Sequence, residues 1–313
     1  MKEVMSKNSK LPNFLIVGGA KCGTTSLANY LSQNKEIFIP STKEPHYFVY
    51  EKLVQSVSIL VRDLDSYHQL FADANEPARG EASVFYLFFH EIVIPRIIET
   101  LGADTKIIII LRNPVDRAFS AYNYARSMNR NENLQFLEAL EVEDERIHDP
   151  KVSPMMLYTK LGKYCKMVSA YQNAFPQCHV ELFDDLKSDP AALINRLERF
   201  LGVEPSGMSE FQVHNRGGLE WKNPLVGRVM KFVSFHGQFI KKRLPGLRKL
   251  AKRSAVNLLQ QSAKKITPAE HDLLCNVFSD EIDELEQILG RDLSHWKTAN
   301  SVSQNDSSPS LKS

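Results

Sequence analysis

Asn13-Phe14-Leu15-Ile16-Val17-Gly18-Gly19-Ala20-Lys21-Cys22-Gly23-Thr24-Thr25-Ser26-Leu27 is the stretch from which the fold of this chain is read. Phe14 to Val17 is an apolar run with the length of a buried strand. Gly18 and Gly19 break it, and Thr24, Thr25 and Ser26 open a helical pattern carried by Leu27, Ala28, Tyr30 and Leu31. Strand, glycine turn and helix start together present backbone N–H groups to an anion. Gly18 to Gly23 has the G-x-x-x-x-G spacing of a nucleotide phosphate loop. Such a loop carries Lys at the next position; here that place is Thr24, and the lysine is Lys21, inside the turn. In the usual loop the Lys reaches the outer phosphates and a hydroxyl holds Mg²⁺. Lys21 would instead lie close to a shorter anion, such as a 5′-phosphate bearing a leaving group. A tight strand–helix turn, with Gly for φ > 0 and hydroxyl residues as caps, accounts for the same residues without a ligand. A Cys22 phosphatase is excluded, because that chemistry wants an Arg six positions on and Ala28 stands there.

At 313 residues the chain is one large α/β domain or two small ones, with an ordinary globular composition. No apolar run reaches the length of a membrane span, and the N-terminal ten residues lack the apolar core of a signal peptide. Cys22, Cys165, Cys178 and Cys275 are scattered and form no metal or redox motif. A reduced cytoplasmic setting is expected. The net charge of +2 hides an asymmetry: Trp221 to Lys265 holds twelve Lys and Arg and no Asp or Glu. That segment suits an acidic polymer or the inner membrane surface, or is simply a solvated helical face. No nucleic-acid partner is expected.

Residues 1–12 and 297–313 read as disordered tails around a single domain, 13–296, that includes the basic segment 221–265. Ile37-Phe38-Ile39 reads as a second strand, followed by a loop, Ser41 to Phe48, that contains Glu44 and His46. Gly80 to Leu87 reads as a strand or extended turn, and Ile92 to Leu101 as a helix ending at Gly102. Lys106-Ile-Ile-Ile-Ile-Leu111 is too apolar to have a wet face and is placed as a central parallel strand. It runs into Arg112-Asn113-Pro114 and a helix that carries Ser120. The acidic segment 127–155, with a helix over Leu134–Arg146, reads as a lid. A helix over Leu157–Phe175, a strand over His179–Phe183 and a helix over Ala191–Leu201 follow. Thr267-Pro268-Ala269-Glu270 is a capping box opening a long helix that stops at Gly290. Strands alternating with helices give an α/β fold, a parallel central sheet with helices on both faces. Ligands in such sheets sit at the carboxyl ends of the strands. The glycine loop, Glu44/His46 and Arg112 all belong there.

Arg112 and Ser120, eight positions apart, suit a forked phosphate contact completed by a hydroxyl. With the glycine loop they suggest a nucleotide with two separate phosphate sites.

At this point the chain resembles a family. G-G-A-K-C-G-T-T-S-L is similar to the 5′-phosphosulfate loop of sulfotransferases that use 3′-phosphoadenylyl sulfate. I-I-I-I-L-R-N-P-V-D-R-A-F-S-A-Y is similar to their 3′-phosphate motif. The resemblance extends through K-E-P-H-Y-F, G-E-A-S-V-F-Y-L, the G-K-Y near Tyr164, D-L-K-S-D-P and L-G-R-D-L-S-H-W, roughly residues 12 to 296. K-E-P-H-Y-F resembles the loop of the carbohydrate branch, the heparan sulfate sulfotransferases and their bacterial relatives. The resemblance implies the phosphate-loop-containing sulfotransferase fold. It implies 3′-phosphoadenylyl sulfate as co-substrate, adenosine 3′,5′-bisphosphate as product, and no metal. Lys21, Cys22, Gly23, Thr24, Thr25 and Ser26 would hold the 5′-phosphosulfate, and Arg112 and Ser120 the 3′-phosphate. Glu44 would take the proton of the acceptor hydroxyl, with His46 as second candidate and Lys21 assisting the leaving group. The acceptor would be a carbohydrate, glycolipid or natural product. Asn215 to Gly218 and Lys264-Lys265 would close over the 3′-phosphate. One place departs: the glycosaminoglycan enzymes carry a Lys where this chain has Ala82.

Two other classes compete. A phosphate-loop kinase or nucleoside triphosphatase wants Lys at position 24 and an Asp ending an apolar strand; Thr24 and Arg112 stand there. A non-catalytic nucleotide-binding or membrane-docking module would bind the donor without turnover.

Overall fold

Every residue of β1, Phe14–Gly18, is buried, and so is all of β4, Lys106–Leu111, except Lys106. Strands apolar on both sides must be covered on both sides. The computed structural model, which describes residues 10–42, 44–57, 61–127, 132–211, 219–221, 260–262 and 264–298, shows how. Between these two strands come α1 (Thr24–Leu31), β2 (Ile37–Phe38), a 3₁₀ turn (Tyr47–Val49), α2 (Tyr50–Leu53), α3 (Leu64–Gln69), β3 (Ala78–Ala82) and α4 (His90–Leu101). After β4 come α5 (Pro114–Ser127), α6 (Phe136–Glu141), α7 (Glu143–Arg146), α8 (Cys165–Ala174), β5 (Cys178–Leu182), α9 (Phe183–Ser188) and α10 (Pro190–Leu201). A short antiparallel pair, β6 (Leu219–Trp221) with β7 (Gln260–Ser262), precedes α11 (Pro268–Leu289).

The sheet order is β2-β3-β1-β4-β5, parallel throughout. β4 therefore sits inside the sheet, as its isoleucine run requires. From β1 the order runs outward in both directions, which puts the switch point, and the ligand crevice, at the carboxyl end of β1. Alternate residues feed two cores. Leu15, Val17, Ile107, Ile109 and Leu111 pack under α4, α5, α8 and α11. Phe14, Ile16, Ile108 and Ile110 pack against Leu27 and Leu31 of α1 and Leu193 and Leu197 of α10. Gly80 lies opposite Phe14, where a Cβ would come within 2.4 Å of the ring. Only glycine lets β3 approach β1 there.

Several boundaries differ from the sequence expectation. β3 ends at Ala82, because Ser83 to Phe89 turns away while Ser83 N–H and Leu87 N–H still donate to Ile16 and Val17. The strand placed at His179–Phe183 is Cys178–Leu182, and Phe183 opens α9. The helix expected over 134–146 breaks at Val142 into α6 and α7. The helix expected from Leu157 begins only at Cys165. The buried carboxylate of Glu143 accepts from Thr159 N–H, Thr159 Oγ1 and Lys160 N–H, which holds that segment out of a helix. The lid reading of 127–155 is corrected for residues 132–155. Phe136 and Ala139 are fully buried, and Glu132 receives a forked pair from Arg146 and the hydroxyl of Tyr158. A segment tied down this way is part of the core. Leu11 is also buried, and Lys10 Nζ bonds Ala72 O and Asn75 Oδ1, so ordered packing starts before residue 13. Thr267 and Glu270 form the expected capping box. Among the described residues no helix is long and apolar enough to cross a membrane.

Candidate active site

The loop after β1 is fastened to β4 by Gly19 N–H donating to Ile110 O at 2.7 Å. Gly23 caps α1 in the left-handed region, φ 95°, and a Cβ there would stand 2.8 Å from the Phe183 ring. Thr24, Thr25 and Ser26 form the first turn of α1, where backbone N–H groups have no acceptor four residues back. The positive end of the helix dipole adds to them. Lys21, φ 68°, carries its ammonium 4.2 Å from the centre of the Tyr124 ring. Cys22 is fully buried, its Sγ near Ala20 O and the Tyr164 hydroxyl. Burial raises its pKa, against the pull of Arg117, Tyr164 and Arg112, so it is a neutral packing thiol. Its contribution to an anion site can come only from the main chain.

Arg112 leaves β4 at the same sheet edge. Its guanidinium lies 5.1 Å from the Phe183 ring centre and its Nη2 3.5 Å from Asp116 Oδ2. Its Nε is buried with no hydrogen-bond partner, a donor suited to an anion. Tyr164 hydroxyl donates to Arg112 O at 3.0 Å and touches Cys22, tying the glycine loop to the end of β4. Ser120 is half-buried on α5, about two turns beyond.

The loop after β2 supplies two carefully held residues. Glu44 and His46 flank Pro45 with φ of 55° and 53°, a region that costs a non-glycine residue about 1–3 kcal/mol. His46 is buried, its ring stacked 5.3 Å from Phe85. Its Nε2 lies 3.3 Å from Glu44 Oε2. His46 N–H donates to Ser83 Oγ at 3.0 Å, and Ser83 Oγ donates to Glu81 Oε2 at 2.8 Å. Glu81 is buried on β3, which pushes its pKa up to about 7 despite hydrogen bonds from Ser83, Tyr86 and Tyr67; the charge of Glu44 adds to the rise.

A cavity of about 350 Å³ lies between α1 and the loop after β2; Lys21, His46, Arg112 and Ser120 are not among the residues that line it. Thr24, Thr25 and Ala28 of α1 line one side, and Pro40, Thr42, Glu44 and Ala82 line the other. The structure thus brings Glu44 and the start of α1 to one space. Position 82 opens onto it with a methyl group. A second, larger cleft of about 390 Å³ lies along β5 and α10, where Arg196 and His179 pair with the buried Glu181. Its charges are mutually satisfied.

No local signal marks Phe183, Tyr124, Tyr164, Glu81 or Ser83 as site residues; Gly80 to Leu87 stands out as a motif, and only the tertiary contact with His46 shows what its polar residues hold. Asn215 to Gly218 and nearly all of 221–265 lie outside the described residues. Lys264 pairs with Glu270 at 3.4 Å.

The parallel sheet with a glycine loop running from β1 into α1 makes this an α/β protein of the phosphate-loop-containing class. The sulfotransferase domain family matches residues 11–216, about two thirds of the chain. The chain belongs to the sulfotransferase family. A human protein described as heparan sulfate glucosamine 3-O-sulfotransferase 6 is 30% identical over 201 residues, 62% of this chain and 53% of its own length. Human bifunctional heparan sulfate N-deacetylase/N-sulfotransferase 2 is 27% identical over 223 residues, 65% of this chain and 24% of its own. The chain therefore spans about half, or a quarter, of these relatives. The crystal structure of a sulfotransferase from Alicyclobacillus acidocaldarius superposes with a TM-score of 0.70 at 31% identity, covering 92% of this chain and 99% of that one.

Proposed function

We propose that this chain is an enzyme that moves the sulfuryl group of 3′-phosphoadenylyl sulfate onto an acceptor hydroxyl, with Glu44 as the base. The observation that carries the reading is the shared cavity, with Thr24 and Thr25 on one wall and Glu44 on the other. The loop fits a 5′-phosphosulfate: a left-handed Gly23 leads into the N-terminus of α1, and Lys21 stands two residues before it in the same turn. The buried, unpartnered Nε of Arg112 fits the 3′-phosphate, and Ser120 on α5 is the second residue assigned to it. The donor supplies an activated sulfur; the acceptor oxygen bonds to it as the bond to the 5′-phosphate oxygen breaks. Glu44 Oε accepts the hydroxyl proton as that bond forms. Lys21 and the N–H groups of α1 stabilise the charge that the departing phosphate gathers. His46 orients Glu44 through Nε2.

The acceptor is read as a carbohydrate or another hydroxyl compound, in line with the relatives. Ala82 favours an acceptor with little negative charge at that wall, since no Lys or Arg lines the cavity among the described residues. The basic composition of 221–265 supports contact with an acidic polymer or an anionic membrane surface in a cytoplasmic setting. A kinase is disfavoured by Thr24 and Arg112, which stand where such an enzyme needs a lysine and a metal-binding acid.

Calorimetric titration with adenosine 3′,5′-bisphosphate, AMP and ATP, without magnesium, tests the donor class. Tight binding of the bisphosphate with AMP and ATP much weaker is expected. Magnesium-dependent binding of ATP would move the chain to the kinases.

A further inference from the structure

The turn that carries Glu44 and His46 is built on Glu81. This carboxylate sits 1% exposed at the end of β3, one residue before Ala82. Ser83 Oγ donates to its Oε2 at 2.8 Å, Tyr67 hydroxyl faces its Oε1 at 3.4 Å, and the Tyr86 hydroxyl lies close by. In its ionised form this carboxylate only accepts, and so fixes where each hydroxyl proton points. Each hydroxyl oxygen is then left with its lone pairs facing outward. Ser83 Oγ uses them to accept His46 N–H at 3.0 Å, and Tyr86 Oη to accept Phe48 N–H at 3.3 Å. The stacked His46–Phe85 pair lies between these two arms. Both N–H groups belong to the residues that follow Glu44, and neither arm touches the glycine loop or Arg112.

We propose that Glu81 is a positioning residue for the base: through Ser83 and Tyr86 it holds the backbone of residues 46–48, and so aims Glu44 at the acceptor. The proposal rests on Glu44 being the base. It assigns a function to G-E-A-S-V-F-Y that packing alone does not require. A buried serine that only filled space could be an alanine, and a buried tyrosine a phenylalanine, without moving the turn.

The test uses the full chain and labelled 3′-phosphoadenylyl sulfate, with water as the acceptor whose sulfate release is counted. Ser83→Ala and Tyr86→Phe are each expected to slow release by about tenfold to a hundredfold, the cost of a misaimed group. Affinity for adenosine 3′,5′-bisphosphate should stay within about twofold, because the donor-binding residues are untouched. Amide exchange at His46 and Phe48 should accelerate while Ile107 to Ile110 stay protected, a local effect that global destabilisation would not give. In a Glu44→Gln background neither substitution should slow release further. Release within about twofold of the parent in both variants overturns the proposal. So does loss of bisphosphate affinity in step with the rate, or equal slowing in the Glu44→Gln background. Glu44→Gln that retains full release while the two amides still depend on Ser83 and Tyr86 overturns the choice of base instead. The two failures are therefore told apart.

Discussion

His46 Nε2 stands 3.3 Å from Glu44 Oε2, while Nδ1 of the same ring is buried without a hydrogen-bond partner. The ring is held between Phe85 and Tyr86. The Glu44 side chain is 27% exposed and the His46 side chain 1%, so only the carboxylate can reach an acceptor. We expect Glu44→Gln to lower transfer by about 10²–10⁴-fold, the usual worth of a general base, with bisphosphate affinity unchanged. His46→Gln should cost about tenfold, because it loosens an aim without removing the base. Equal losses in the two variants, measured by initial rates, would count against this division of roles.

Arg112 offers a second discriminating substitution. Its Nε is a buried donor without a hydrogen-bond partner, just beyond the carboxyl end of β4. A charge-assisted hydrogen bond contributes about 1.5–3 kcal/mol. Arg112→Ala is therefore expected to weaken adenosine 3′,5′-bisphosphate by about tenfold to a hundredfold and AMP much less. Calorimetry with both nucleotides checks it, and equal weakening would remove the 3′-phosphate role.

Gly23 is constrained twice, by φ 95° and by Phe183, which a Cβ would approach to 2.8 Å. Gly23→Ala should cost about 1–3 kcal/mol of stability and abolish bisphosphate binding, because the first turn of α1 must shift. Adding Phe183→Leu should return part of the stability, by relieving the clash, but not the φ cost. A melting curve that does not move for Gly23→Ala would show that the turn relaxes freely.

Glu81 makes stability depend on pH. Its folded pKa of about 7 lies above its ordinary 4.5, so between those values the folded chain binds a proton that the unfolded chain has lost. Stability from this group is therefore fully present below about pH 4.5, falls as pH rises, and levels off above about 7. The shift corresponds to about 3 kcal/mol as an order of magnitude. Glu81→Gln should be flatter over this window, gaining on the parent as pH rises; denaturant midpoints at pH 5, 6 and 7.5 are the measurement. Parallel pH curves for the two chains would rule out the raised carboxyl.

Much of this was legible in the order of residues. Phe14 to Val17 and the isoleucine run at 107–110 have no polar side, so they had to become interior strands whatever surrounds them. Gly18 to Ser26 is a local signal, read from neighbours within a few positions, and so is the capping box of Thr267 and Glu270. Arg112 follows from its strand. Boundaries set by distant partners were not legible. Glu143 keeps Thr159 and Lys160 out of the α-helix, leaving a 3₁₀ turn over Lys160–Gly162, and Arg146 with Tyr158 turns an acidic stretch from surface into core.

The sequence by itself determined the parallel α/β class and the places of the glycine loop and Arg112, because strand burial and loop geometry are encoded in adjacent residues. The tertiary structure alone decided which residue of the Glu44–His46 pair faces the cavity, and what Glu81 and Ser83 hold. Those answers depend on side chains 37 positions apart meeting at the end of one sheet. A hydroxyl or carboxyl acquires its direction only from the partner that the fold sets against it.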